Sequence, residues 1–305
     1  MGTGKTLGLP FSWMGTKVKM RGVLLPIIES IPRELYVEPF GGAGGLFFGK
    51  PPERAEVFND SNELIINAFR TLRNSETREQ VVALLDATPM SRAVYYELEP
   101  IMRKYFVGED YQFEKKRARL DEYSNEVAIA YAFLYVQNVG FQGSGFHRSF
   151  GGGSKGKDAA RVMSTYSGNR SRLYRHVERM ETVSLECLDA FECIAKYDHV
   201  QTLFYIDPPY RCKSSVSYRL SWGEEQDAKL VETLAALKGS FVLTVYDNDV
   251  YRRLLDQGAT RREFTKLSLM PTKRDKMIER VETIYYRSAT GTKEFGRSMF
   301  NYDSE

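Results

Sequence analysis

Cysteine is scarce in this sequence: Cys187, Cys193 and Cys212 are the only three in 305 residues. An odd number at irregular spacing does not make a disulfide framework. Without a Cys-x-x-Cys pair there is no thiolate site for structural zinc, and the three read as reduced thiols in or near the core. Long hydrophobic runs are missing too. The longest, Val127 to Val136, falls well short of the ~20 apolar residues that span a bilayer. No basic, apolar and small-residue regions follow one another at the N-terminus as in a secretory signal, so the expected location is the cytoplasm. Net charge is only +3, so the chain as a whole is not a polycation. The opening Gly2-Thr3-Gly4-Lys5-Thr6 looks like the end of a phosphate-binding P-loop, but it lacks the preceding strand and the first glycine that such a loop needs.

What is present is organised. A strand reads Leu35-Tyr36-Val37-Glu38 and runs directly into Gly41-Gly42-Ala43-Gly44-Gly45; a second reads Ala55 to Phe58, and helical spacing follows Asp60 at Leu64, Ile65, Ala68, Phe69 and Leu72. Strands resume at Val183–Cys187, Thr202–Ile206 and Phe241–Val245, the last two separated by a helix over Glu224–Leu237, and Val281–Arg287 closes the series. Strands alternating with helices predict a parallel sheet covered on both faces. Residues 75–175 are mostly helical, charged and rich in tyrosine, and read as an insertion into that sheet. The segment Phe141–Met180 holds eight Lys or Arg (Arg148, Lys155, Lys157, Arg161, Arg170, Arg172, Arg175, Arg179) against Asp158 and Glu178, a local net of +6. That is a candidate phosphate-binding surface; a solvated helix face with a glycine-rich loop is the alternative.

Two features carry chemistry. A strand that turns through glycines into a helix lets a ligand approach the backbone closely. Asp60, after the second strand, stands where a carboxylate takes ribose hydroxyls, although it would serve equally as a helix N-cap. The spacing departs from the dinucleotide fingerprint, because Phe47 falls at the third glycine position. The second feature is Asp207-Pro208-Pro209-Tyr210, directly after the apolar strand Leu203–Ile206. Chance places that tetrapeptide in about one such chain in a thousand, and strand carboxyl ends are where open α/β sheets bind ligands. These residues suit an exocyclic amine whose lone pair is delocalised into a ring. The Asp207 carboxylate and the Pro208 carbonyl can accept its two hydrogens, Pro209 stiffens the turn without adding a donor, and the Tyr210 ring offers a stacking face.

With these blocks in hand, the sequence resembles the Dam-type (alpha-class) DNA adenine-N6 methyltransferases. Pro10 to Lys17 is similar to the family's N-terminal block, Val37 to Gly44 to its glycine motif, Asn59 to Asn62 to its ribose block, and Asp207 to Tyr210 to its catalytic block. The resemblance covers residue 10 to roughly 290. It implies a Rossmann-like S-adenosylmethionine (SAM)-dependent methyltransferase sheet, residues 10–74 and 176–290, with a mostly helical DNA-recognition insertion, residues 75–175, and loose termini at 1–9 and 293–305. It implies SAM contacts from Trp13, Lys17, Pro39, Phe40, Gly41, Gly42, Gly44, Asp60, Asp207 and, by a weaker match, Asp189. Trp13 and Lys17 lie four apart, a spacing that one helix face would also produce. Asp207, Pro208, Pro209 and Tyr210 are the expected catalytic group, acting on a base flipped out of double-stranded DNA by direct transfer. Val139-Gly140-Phe141-Gln142-Gly143 is similar to the segment entering the recognition face. There Phe141 and Gln142 replace the usual Tyr and Asn, and at the N-terminal block Thr16 replaces the usual Gly. Phe141, Gln142, Arg148, Lys155 and Lys157 are the candidate DNA contacts, Arg148 being equally readable as surface charge. No metal is expected, and a monomer is.

Other readings keep the same sheet. N4-cytosine enzymes usually carry Ser where Asp207 stands, and RNA or protein relatives carry Asn. Cytosine-C5 enzymes need a cysteine after proline, which this sequence lacks. A non-catalytic SAM-responsive DNA-binding protein has no need of an intact Asp207-Pro208-Pro209-Tyr210.

Overall fold

Thr202 to Ile206 are five buried residues in a row, so this strand is covered on both faces, as a central strand of a parallel sheet must be. The structure, a computed structural model, describes residues 7–100, 120, 122–140, 150–151, 156–210, 222–268 and 278–290. Among these residues the strands are β1 (Leu35–Glu38), β2 (Glu56–Asn59), β3 (Ser184–Glu186), β4 (Thr202–Ile206), β5 (Ser240–Val245), β6 (Thr260–Ser268) and β7 (Ile278–Arg287). The helices are α1 (Arg21–Ser30), α2 (Glu63–Arg73), α3 (Ser75–Ala87), α4 (Arg92–Leu98), α5 (Asn125–Val139), α6 (Gly156–Arg170), α7 (Leu173–Met180), α8 (Ala190–Tyr197), α9 (Glu224–Ala236) and α10 (Asp249–Arg252).

The strands form one sheet in the order β3-β2-β1-β4-β5-β7-β6. From β3 to β5 every pairing is parallel. The chain steps outward from β1 through β2 to β3, then returns to lay β4 on the other side of β1. The carboxyl ends of β1 and β4 therefore flank the topological switch point, where the two connections leave in opposite directions and open a crevice.

The sheet is not parallel throughout, which corrects the sequence expectation. β7 runs antiparallel to β5 and β6 antiparallel to β7. β6 was missed because Arg261, Arg262, Glu263 and Lys266 interrupt any apolar alternation. It is an edge strand, where charge discourages pairing with a further chain.

Alternate strand residues serve two cores. Tyr36, Phe58, Leu203, Tyr205, Val242 and Ile284 join one apolar cluster, while Val37, Val57, Phe204, Ile206, Leu243 and Tyr285 join the other. The second is closed by α8, α9 and α10 through Cys193, Ile194, Leu230, Leu234 and Tyr251. The first runs from Phe58 through Phe69 of α2 to Phe133 of α5. α5 contains the Val127–Val136 run and buries it on all sides, as an apolar helix of that length does inside a protein. Ser124 caps it, its side chain accepting from the Val127 N–H. Helices α3 to α7 lie in the chain between α2 and β3, and α5 packs against both α2 and α3.

The basic segment is less open than its net charge suggests. Both oxygens of Glu56 are held by Arg179, at 2.6 and 2.7 Å, in a buried pair. Arg170 pairs with Asp86, and Arg172 donates to Asn169 Oδ1. His176 is 1% exposed, bonds to the carbonyls of Gly8 and Arg172, and has its pKa pushed down by burial. Arg161 and Arg175 are exposed. Cys193 is buried, with its thiol pushed up by desolvation to about 12, but Cys187 is exposed rather than near-core; Cys212 lies outside the described residues. Among the described residues no helix is long and apolar enough to cross a membrane.

Candidate active site

At the switch point lies a cavity of about 460 Å³, within the ~300–1,000 Å³ range of small-ligand sites. Its first wall is the turn after β1. Gly42 has φ +53° and Gly44 φ +67°, left-handed values that favour glycine. A Cβ on Gly42 would also stand 3.0 Å from Trp13 Nε1, so the indole and the turn pack with no room for a side chain. Gly44 is on the far side of the turn: it is absent from the cavity wall, and a Cβ there would meet Phe48 and Phe58. Trp13, Lys17, Pro39, Phe40, Gly41, Gly42, Asp60, Asp189 and Asp207 all line the cavity, as do Pro208, Pro209 and Tyr210.

Asn59, fully buried at the end of β2, ties this edge together. Its amide donates to the carbonyls of Pro39 and Leu188, and its oxygen accepts from the Leu188 N–H. Asp60 is thereby presented to the cavity. It is not the cap of α2; Asn62 is, accepting from Leu64 N–H. Asp60 instead accepts from the N–H of Gly42 and of Asn62, both at 2.8 Å. Desolvation raises its pKa to about 6, against the pull of those two N–H donors. Asp189 caps α8 by accepting from Phe191 N–H. Trp13 and Lys17 do not share a helix: Lys17 precedes a short 3₁₀ turn, Val18–Met20, and Trp13 lies in the loop before it.

Lys17 is 2% exposed. Its ammonium lies 2.7 Å from Asp207 Oδ1, 2.9 Å from Oδ2, 3.0 Å from the Gly15 carbonyl and 3.9 Å from Glu282 Oε2. It also lies 4.7 Å from the centre of the Tyr210 ring. Asp207 Oδ1 accepts further from Thr244 Oγ1 at 3.0 Å and from the Tyr210 hydroxyl at 3.3 Å, whereas Oδ2 accepts from Lys17 alone among the described residues. An ionised carboxyl has about four acceptor sites, so the capacity that remains is on Oδ2. Tyr210 packs 4.4 Å from Tyr246, ring centre to ring centre. Desolvation, then the Asp207 charge, pushes its phenol well up. Glu38, 1% exposed behind the glycine turn, is raised to about 8, mainly by desolvation, while the Tyr36 hydroxyl donates to it.

Several residues at the site were not anticipated, Phe191 and Trp222 on the cavity wall and Thr244, Tyr246 and Glu282 against the side chains that form it. Phe191 and Trp222 lie with their rings within 6° of parallel. Phe191 stands two residues past Asp189, so the Asp189 match could have pointed to it; Trp222 had no motif around it. Thr244, Tyr246 and Glu282 come from β5, the loop after it and β7, elements whose sequences read only as strand. Among the described residues the cavity's charged lining is acidic: Asp60, Glu63, Asp189 and Asp207, beside the Glu38 carboxyl raised to about 8, against Lys17. Among the described residues no group of three or more His, Cys, Asp or Glu could hold a metal ion. Phe141, Gln142, Arg148 and Lys155 lie outside the described residues, and of Lys157 only the backbone, in α6, is described.

Comparison with known proteins bears directly on this site. The family model for D12 class N6 adenine-specific DNA methyltransferases matches residues 13–269, from Trp13 past the whole cavity. Among curated proteins, the type II methyltransferase M1.LlaDCHI of Lactococcus lactis subsp. cremoris is 28% identical over 221 residues, 71% of this chain and 70% of the relative. The type II methyltransferase M.MjaIII of Methanocaldococcus jannaschii is 25% identical over 216 residues, 66% of this chain and 69% of the relative.

Proposed function

The chain belongs to the D12 class N6 adenine-specific DNA methyltransferases, and from that membership and the cavity's geometry we propose that its methyl donor is SAM and that transfer to the adenine amine is direct, at Asp207. It is an enzyme that methylates DNA at adenine. The observation that best supports the proposed site is the asymmetry of Asp207. Thr244 and Tyr210 donate to Oδ1 alone and Lys17 to both oxygens, so Oδ2 has the greater free capacity and would take the incoming amine.

The residues present fit the donor. An acidic lining favours a cationic ligand, and Lys17, the one cationic side chain on the wall among the described residues, is neutralised by Asp207. Asp60 would accept the ribose hydroxyls, Gly41 and Gly42 allow close approach of the backbone, and Phe191 and Trp222 supply flat apolar faces for a purine. Trp13 and Lys17 would hold the edge nearest Asp207. SAM supplies a methyl group on a sulfonium, electrophilic enough that no covalent enzyme intermediate is needed. Asp207 Oδ2 and the Pro208 carbonyl would accept hydrogen bonds from the two amine hydrogens, localising the nitrogen lone pair as it attacks; once methylated, the nitrogen loses one of those hydrogens as a proton through Asp207 and keeps the other. For the base to reach this depth it must leave the duplex, and at Tyr210 it would compete with Tyr246 for the ring. Residues 75–175, with Phe141, Gln142, Arg148, Lys155 and Lys157, are the proposed recognition insertion on double-stranded DNA. By analogy with the type II methyltransferases it matches, the proposed role is site-specific DNA modification; a cytoplasmic location and a monomeric state are part of the proposal and rest on no comparison.

The test is transfer of labelled methyl from SAM to mixed-sequence duplex DNA, followed by nucleoside analysis. N6-methyladenine as the product is the expected result. Label found only on RNA, or on no nucleic acid although SAM binds, would overturn the reading. A second expectation concerns pH. Asp60 must be ionised to accept two hydroxyls, and its carboxyl titrates at about 6 in the free protein. Binding that favours the ionised form weakens as pH falls through that value, so SAM affinity should drop roughly tenfold per pH unit below about 6. Asp60→Asn should bind SAM about tenfold more weakly at pH 8 and show no such slope. Titrations of both proteins from pH 5 to 8 check this; parallel pH profiles would exclude Asp60 as the ribose acceptor.

A further inference from the structure

Thr244 and Tyr205 belong to none of the motifs, yet they converge on the reacting carboxylate. Sheet register brings this about. β4 and β5 pair Tyr205 with Val242 and Ile206 with Leu243, so the next rung sets Asp207 beside Thr244. Residues of one parity share a sheet face, and Tyr205, Asp207, Val242 and Thr244 share the face turned toward Lys17. Thr244 is fully buried, Tyr205 is 3% exposed, and the Tyr205 and Thr244 hydroxyl oxygens are 3.2 Å apart.

The hydrogen count orders this contact. A threonine hydroxyl has one proton to give, and an ionised carboxylate can only accept. Thr244 Oγ1 gives its proton to Asp207 Oδ1 at 3.0 Å, so the Tyr205 hydroxyl must donate to Thr244. Burial pushes the Tyr205 phenol well up, which keeps that proton in place. The chain runs Tyr205 to Thr244 to Asp207 and ends on the oxygen already crowded by donors.

We infer that Thr244, supported by Tyr205, is a positioning residue that fixes the rotation of the Asp207 carboxylate so that Oδ2 is the oxygen offered to the target amine. The inference rests on the reading of Asp207 given above. Lys17 alone cannot set that rotation, because it contacts both oxygens at nearly equal distances. Thr244 and Tyr210 each contact Oδ1 only, Thr244 at the shorter distance of 3.0 against 3.3 Å, and Tyr210 is the ring the incoming base would meet. Without the Thr244 hydroxyl the carboxylate is held against swivelling about the Lys17 ammonium only by that longer Tyr210 contact, and the productive orientation is less populated.

The experiment is single-turnover methyl transfer at saturating SAM and DNA, with SAM affinity measured separately, on wild type, Thr244→Val, Thr244→Ser, Tyr205→Phe and the Thr244→Val/Tyr205→Phe double variant. Thr244→Val keeps the shape of the side chain and removes the hydroxyl. It should slow transfer about 10- to 100-fold, the range for losing a hydrogen bond to a charged group, with SAM affinity within about twofold of wild type. Thr244→Ser, which keeps the hydroxyl, should recover most of the rate. Tyr205→Phe should cost less than Thr244→Val, and adding it to Thr244→Val should cost nothing more, because the link it supports is already gone. A Thr244→Val rate within twofold of wild type overturns the inference, as does a Thr244→Ser rate no better than that of Thr244→Val. If Thr244→Val does not fold, Tyr205→Phe decides alone: a slower transfer step at unchanged SAM affinity supports the chain, and an unchanged rate overturns it. Asp207→Asn in the same assay separates failure of this inference from failure of the Asp207 reading: a retained rate there overturns that reading, whereas a lost rate there with Thr244→Val unchanged overturns only this inference.

Discussion

Asp207→Asn is expected to bind SAM within a few-fold of wild type and to transfer methyl at least about a thousandfold more slowly, the upper range for removing one preorganised electrostatic partner of a transition state. Asparagine has nearly the shape of aspartate but only one acceptor oxygen. Thr244 and Tyr210 offer protons on the Oδ1 side only, while Lys17 reaches both positions, so the single acceptor oxygen will turn toward Thr244 and Tyr210. The amide nitrogen is then left facing the amine, donor against donor. Asp207→Ala, which leaves room for water, should therefore be no slower than Asp207→Asn, although alanine is the larger deletion. Glu282, 3.9 Å from Lys17, still offsets the lysine charge, so the fold should survive with a modest loss of stability. Single-turnover rates with saturating SAM and DNA check the order. An Asn variant retaining more than about a tenth of wild-type rate would mean that a carboxylate is not what the amine meets.

How much of this site could be read from the sequence depended on whether its parts are local. Asp207 to Tyr210 and the glycine turn are contiguous, each following an apolar strand, so both position and chemistry are legible in a few residues. Asp60 was located, but its role as cap was not excluded until Asn62 was seen to hold the end of α2. Thr244 lies in the middle of Phe241–Val245 and reads as one more strand residue; it becomes a partner of Asp207 only through a pairing between strands 37 positions apart. Part of the basic segment's charge was hidden for the same reason. Arg179 counts as a free positive charge in any window of sequence, yet its partner Glu56 is 123 residues away, on β2. β6 failed differently: its charged residues erase the alternation by which strands are recognised, because an edge strand has little need of an apolar face. The helical nature of the middle was legible because α5 is a long apolar run, but its packing against α2 and α3 was not.

Lys17→Met should be the most damaging single substitution to stability at the site, and more so than either change at Asp207. Replacing Asp207 removes one of two negative partners and leaves the cation compensated. Replacing Lys17 removes the cation that lies between Asp207 and Glu282, both largely buried at 17% and 4% side-chain exposure. Breaking a buried pair from one side costs about 3–5 kcal/mol, because Asp207 stays desolvated after losing the ammonium that contacts both its oxygens. Transfer should fall about 100- to 1,000-fold, because Asp207 loses the ammonium that holds it, and denaturant unfolding should show the stability loss. Lys17→Met/Glu282→Gln separates the two effects. Removing the second carboxyl should restore a large part of the stability without restoring methyl transfer, because Asp207 would still lack the ammonium that holds it. If the double variant is no more stable than Lys17→Met, Glu282 is not the second partner of the buried cation, and the site's charge balance rests on Asp207 alone.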